Sequence, residues 1–449
     1  MELLDKAILP QSAHHMILIK YLIVVAFVIL IPYLSILLGN LAYSLYFRKR
    51  AIRENNENFY KLSEDLIEMI TFNKGVAFAL GVVPMLSAMF GFAQLLNQTN
   101  ASVHGYIFIS LLFLFNALLL IYSYKNGFLF KINPGEDIQA DKIDHNETEN
   151  IRSAKQQRAV KIFGKSGKYG IYLLLISIYI FCGAVQLSFD TERWESVGNI
   201  GEMVFSFNAL IGFAQFIISA FLITSAMILY RYFRTNSGTL NYSDEFKSFI
   251  RDFVLLRGLL ASVLLLLFVV LSVMMRSKLS LSYGVFGYSV AALCLILIVS
   301  SLFYVMLKES STKYSSAVIF LVISAVFVLI IRDQYSFDVS TKKQYAILAA
   351  NYETYQAKIN EELGIGVAAI SGADIYNGRC IACHSFDKKI VGPPYNSTMP
   401  KYEGKKDLLV KYILNPVKIN PDYPAMPSQG LKPKEAEAVA EYLLMTYKK

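Results

Sequence analysis

The sequence predicts an all-α protein in two parts: a transmembrane bundle of eight helices over residues 1–332 and, after a helical linker at 333–368, a small all-α domain at 369–449. Three observations carry this. Of 449 residues, 55% are hydrophobic and 17% charged, against about 25% charged in an ordinary water-soluble domain. The apolar residues gather in runs long enough to cross a bilayer, and all of those runs fall before residue 332. Beyond them the chain reads as aqueous. Four cysteines are too few to staple a chain of this size, and its hydrophobicity excludes a disordered one.

A hydrocarbon core of about 30 Å takes about 20 helical residues. Eight stretches reach that length: 16–46, 75–96, 105–124, 169–189, 203–230, 253–275, 283–307 and 314–332. The first is too long for one bilayer thickness and must tilt or project. With no small-residue cleavage site ahead of an aqueous body, it is expected to stay in the protein rather than leave as a signal peptide. In the second, Gly81 and Pro84 predict a kink. In the sixth, Leu264 to Val270 run without a polar residue. Lys20 is expected to snorkel to the interface, and Asn116 and Gln215 to hydrogen-bond between helices. Cys182 and Cys294 read as apolar packing. No chain of intramembrane carboxylates appears, which argues against a proton pump.

The formal net charge of +9 invites a nucleic-acid reading, but the basic residues lie in the connections between apolar runs. The connections after helices one, three, five and seven carry 22 Lys and Arg, and those on the other side carry 4. The positive-inside rule then puts the first set in the cytoplasm. Both termini and the C-terminal domain fall outside, in the periplasm, with the bundle in the inner membrane. The partner is therefore the lipid bilayer and not nucleic acid. Residues 125–168, with His145, read as a solvated cytoplasmic loop. Asp338 to Gly364 reads as one or two helical turns or a stalk, with Gly364 and Gly366 as a hinge.

The chemistry lies at Cys380-Ile381-Ala382-Cys383-His384. C-x-x-C-H is the attachment signature of a c-type haem: two thiols add to two vinyl groups of one porphyrin, and the adjacent imidazole reaches the iron from the same side. A zinc site needs two more ligands, and no cysteine or histidine follows residue 384. A thioredoxin-type pair needs a βαβ context, which is absent.

Around this motif the tail resembles the small bacterial class I cytochromes c. The matching pieces are Gly372-Ala-Asp-Ile-Tyr376, Val391-Gly392-Pro393, Ala425-Met426-Pro427 and a final helix over 434–447. The resemblance implies that the Pro393 carbonyl meets the second nitrogen of His384, and that Met426 is the distal iron ligand. Met399 and Met445 are the other methionines of this domain; Met399 is fifteen residues past His384, and Met445 falls on a helix whose apolar positions Val439, Tyr442, Leu443 and Met445 read as core. The tryptophan that some relatives place beside the haem propionates is missing, since Trp194 lies outside this domain, leaving Tyr395, Tyr402 or Tyr423. His/Met ligation raises a haem potential relative to bis-His, which suits an electron acceptor from quinol-level donors. Residues 371–449 hold 12 Lys and Arg against 8 Asp and Glu, a balance that can steer an acidic redox partner.

A second haem, of the b type, would need histidines in the bundle. His14 and His15 open the first helix and His104 the third, all at one depth. Residues 72–100 are also faintly similar to the second helix of cytochrome bd subunit I, but the acidic haem-pocket residues expected on the third helix are missing. The expectation is thus a membrane-anchored monohaem cytochrome c that passes single electrons between a membrane donor and a periplasmic or membrane-bound acceptor. Its rival is a quinol-oxidising cytochrome b/c fusion or oxidase-like subunit that uses His104 with His14 or His15. An anchor subunit of a respiratory complex is the third reading.

Overall fold

A computed structural model describes residues 9–128, 147–234, 242–363 and 371–447, with backbone alone over 147–162. His145, Gly364 and Gly366 lie outside the described residues. The structure is 80% helical, with no strand among the described residues. It divides into two compact units, Met1–Asn351 and Tyr352–Lys449.

The first unit holds the eight apolar helices expected: α1 (Ala13–Glu54), α3 (Lys74–Leu95), α4 (Val103–Asn126), α5 (Glu147–Ser188), α6 (Phe207–Phe233), α7 (Asp244–Met274), α8 (Tyr283–Lys308) and α9 (Ser315–Ser340). An amphipathic helix, α2 (Glu57–Thr71), joins α1 to α3. Helix α1 is the hub, packing on α2, α3, α5, α6 and α9, whereas α8 touches chiefly α7 and α9. Gly39 fixes one crossing, since a Cβ there would sit 2.0 Å from Thr224 Oγ1 on α6.

Several boundaries differ from the sequence expectation, each for a physical reason. At 42 residues α1 extends about 63 Å, roughly twice the bilayer core, and its far end is covered by α2. That helix buries Phe59, Leu62, Leu66, Ile67 and Ile70 along one face, although 47–74 reads as a mere connection. Helix α5 begins at Glu147, so the second half of the supposed loop is helical; its Ala, Lys, Gln and Arg are strong helix formers. Helix α9 continues eight residues past Arg332, and α10 (Lys342–Glu362) follows as 21 helical residues, the longer of the two readings of this stretch.

Polar groups in the bundle also differ from expectation. Lys20 has partners within the bundle: its Nζ pairs with Asp338 at 3.1 Å and lies 3.5 Å from the centre of the Tyr345 ring. Asn116 bonds back to the Leu112 carbonyl of its own helix at 2.8 Å rather than across helices. Where Gly81 and Pro84 predict a kink, α3 carries a π turn, Phe78–Val82, that ends two residues before Pro84.

The second unit contains α11 (Gly372–Ile375, continued by a π turn at Tyr376–Cys380), α12 (Lys406–Leu414) and α13 (Pro433–Thr446). Its core is Tyr376, Tyr395, Met399, Leu409, Ile413, Ala436, Val439, Ala440 and Leu443. The α13 contribution follows the i, i+3, i+4, i+7 spacing of one helical face. Met445 is not part of it; it is 62% exposed.

Candidate cofactor site

The π turn ends on Cys380, and the chain then winds one tight turn. Cys383 N and His384 N both donate to the Cys380 carbonyl, at 3.1 and 2.9 Å. This turn places two thiols and one imidazole on a single wall. The segment that follows folds back: Val391 N and Gly392 N donate to the Cys383 carbonyl at 3.2 and 2.8 Å, and Tyr395 N to Ser385 O at 3.0 Å. The fold-back brings the Pro393 carbonyl to 3.0 Å from His384 Nδ1. A carbonyl only accepts, so Nδ1 carries the proton and Nε2 keeps its lone pair for a metal. The return is possible because residue 392 is glycine: a Cβ there would lie 2.2 Å from His384 Cε1.

Tyr395 completes this wall. Its ring stacks on the His384 imidazole, with centroids 4.9 Å apart and planes at 16°. Burial pushes both the Tyr395 hydroxyl and the Cys380 thiol above their ordinary pKa values, so both are neutral at pH 7. Tyr376 packs on the same assembly against Phe386, Tyr395 and Tyr442. Helix α11 in turn crosses α13 so closely that a Cβ on Gly372 would meet the Ala438 carbonyl at 2.2 Å.

The opposite wall is the segment between α12 and α13. Pro416, Pro421, Pro424 and Pro427 keep it extended, and Arg379 Nη1 ties it back to the motif by donating to the Gln429 carbonyl at 2.6 Å. Between the walls lies a cavity of about 420 Å³, within the range of small-molecule and cofactor sites. Cys380, Cys383, His384, Pro393 and Met426 all line it.

Of the other methionines, Met399 also reaches the cavity but is 3% exposed and packed in the core; Met445 does not line it. The three tyrosines read as replacements for the missing tryptophan all line it. Tyr395 stands beside His384, Tyr402 packs on Tyr412, and Tyr423 lies under Lys389. Arg379, Lys401 and Lys418 supply positive charge around the same cavity. Two thiols, an imidazole with one nitrogen free, a facing thioether and an apolar lining together fit a haem.

His14 and His15 are exposed at the start of α1, and His104 is half-buried at the start of α4. What the sequence reading missed is a charged cluster. The eighth apolar run was closed at Arg332, one residue before Asp333, which the structure places between Arg332 and Arg276.

Comparison with known proteins agrees with this geometry. The profile of the family described as cytochrome C oxidase, cbb3-type, subunit III matches residues 367–443. Cytochrome c-551 of Pseudomonas denitrificans is 34% identical over 79 residues, covering 16% of this chain and 95% of that protein. No solved structure matches.

Proposed function

We propose, for a chain that belongs through its C-terminal domain to the c-type cytochromes, that one haem c is held covalently by Cys380 and Cys383 with His384 and Met426 as iron ligands. The chain is a haem-binding electron-transfer protein with eight helices long and apolar enough to cross a membrane. The observation that carries it is His384: Pro393 holds its proton on Nδ1, so the nitrogen left with a lone pair belongs to a residue lining the cavity beside both thiols.

When bound, a haem supplies a reversible one-electron change at its iron. The chain's residues do the rest. Cys380 and Cys383 fix the porphyrin edge, and Pro393 and Tyr395 hold the plane and tautomer of His384. The proline-rich segment brings Met426 to the cavity wall, where it would ligate a bound haem, and the apolar lining would exclude water and favour a high potential. Arg379, Lys401 and Lys418 are placed to attract an acidic partner.

Residues 369–449 act as the cytochrome domain, 333–368 as its linker and 1–332 as the anchor in the inner membrane, with the haem in the periplasm. Electrons pass singly from a membrane donor, of which quinol oxidised by a partner is the candidate class, to a periplasmic or membrane-bound acceptor. The test is a reduced-minus-oxidised spectrum with pyridine haemochrome quantification of the purified chain. One c-type haem and no b-type haem per chain supports this reading. A b-type haem lost in His104→Ala favours the two-haem alternative.

A further inference from the structure

Two buried arginines share one carboxylate where α5, α7 and α9 approach their C-terminal ends. Arg332 Nε and Nη2 meet Asp333 Oδ1 at 2.9 and 2.8 Å, and Arg332 Nη1 donates to Ser272 Oγ at 3.0 Å, so every nitrogen of Arg332 has a partner. Arg276 Nη2 donates to the same Asp333 Oδ1. The two arginine side chains are 2% and 1% exposed, and Asp333 is 27% exposed.

Arg276 is left incomplete. Its Nε and Nη1 are shut off from solvent and have no hydrogen-bond partner. The guanidinium lies 4.6 Å from the Phe189 ring, which attracts a cation through its π face but takes no strong hydrogen bond. Arginine stays protonated in proteins, so two guanidinium groups against one carboxylate leave one positive charge and three N–H donors unmatched. Buried ions are retained where a counter-charge and hydrogen bonds complete them, and among the described residues none supplies the last anion.

We propose that Arg276, with Arg332 and Asp333 behind it, forms a site for a singly charged oxyanion of the phosphodiester or phosphate class. The balance of charge selects a monoanion. Position indicates where it comes from: Arg276 lies two residues past the end of α7, at headgroup depth for a helix that spans the bilayer. Around it Met274, Met275 and Leu279 are 69, 39 and 56% exposed, an apolar rim of the kind that faces lipid. A phospholipid phosphodiester meets all of these conditions; free inorganic phosphate shares the chemistry.

The experiment uses the full chain in detergent, stripped of lipid, and follows two readouts: phospholipid retained in native mass spectrometry and the midpoint of thermal unfolding. Phospholipid and inorganic phosphate are titrated separately at constant ionic strength, with chloride as the salt control. Wild type is expected to retain one phospholipid and to gain thermal stability as phospholipid is added. Arg276→Gln should retain none and need at least about tenfold more lipid for the same gain, the loss expected of one charge-assisted hydrogen bond. In the stripped state Arg276→Gln should unfold no earlier than wild type, because the uncompensated charge is gone.

Asp333→Asn, which adds net positive charge and frees Arg332, should bind tighter, and it keeps the test open if the arginine variant does not fold. A response of wild type to inorganic phosphate but not to lipid, lost in Arg276→Gln, keeps the site and assigns it to free phosphate. Equal responses in wild type and Arg276→Gln, a response to chloride alone, or weaker binding in Asp333→Asn would each overturn the proposal.

Discussion

Gly392→Ala isolates the close approach on which the position of the His384 imidazole depends. The backbone at 392 is not in the left-handed region; among the described glycines only Gly404 and Gly430 are. Alanine is therefore allowed by conformation, and only space opposes it. The added methyl would lie 2.2 Å from His384 Cε1 and 2.7 Å from both ring nitrogens, whereas ordinary contact begins at 3.4 Å. The ring must retreat by roughly an ångström. On one face it meets Tyr395, stacked at 4.9 Å, and the retreat also opens the 3.0 Å bond from Nδ1 to the Pro393 carbonyl. Overpacking of this kind costs about 1–3 kcal/mol, and the lost hydrogen bond about 1 kcal/mol more. The expected destabilisation of the C-terminal domain is therefore roughly 2–4 kcal/mol, with a shifted reduction potential because the imidazole proposed as iron ligand is displaced. Denaturant unfolding followed at the haem absorbance, together with redox titration of the full chain, measures both. Stability within about 0.5 kcal/mol of wild type and an unmoved potential would refute the assignment of Gly392 as the residue that makes room for His384.

Four further expectations rest on other groups. Met426→Ala should abolish the weak sulfur–iron absorption and lower the potential, whereas Met399→Ala should keep that band but destabilise the domain by about 2–5 kcal/mol, as for a core methionine; the opposite pattern would exchange their roles. In the haem-free chain, alkylation of Cys380, which is buried, should be slower at neutral pH than that of the half-exposed Cys383, and mass spectrometry of the labelled peptide would show it. Because the folded Cys380 thiol is raised by burial, the haem-free domain should be fully stable below the ordinary thiol pKa and lose stability as pH rises beyond it. Lys20→Met should break the Asp338 pair and the Tyr345 contact, and faster hydrogen exchange at the start of α10 would report it.

The cofactor wall was legible because its chemistry fixes its spacing: two thiols and an imidazole in five consecutive residues admit few other uses. The eight apolar helices were equally plain, since bilayer thickness sets their length. What escaped were features set by packing. Phe59, Leu62, Leu66 and Ile70 form a clear helical stripe, but a search for unbroken apolar runs passes over an amphipathic helix. The extension of α9 past Arg332 was missed because its Asp333 and Asp338 look like the start of an aqueous segment; their partners, Arg276 and Lys20, lie 57 and 318 residues away. Tyr395 was one of three equivalent aromatics in the sequence, and only the fold-back at 385–395 puts its ring against His384. Met445 failed the other way: its helical register looked apolar, but the side chain is exposed.

The most direct test of the account is the intact mass of the purified chain. The expected value exceeds that of the 50.6 kDa polypeptide by one haem, survives acid–acetone extraction and falls back in a Cys380→Ala, Cys383→Ala double variant. A chain that runs at its bare mass, or that releases its haem into the organic phase, would contradict it.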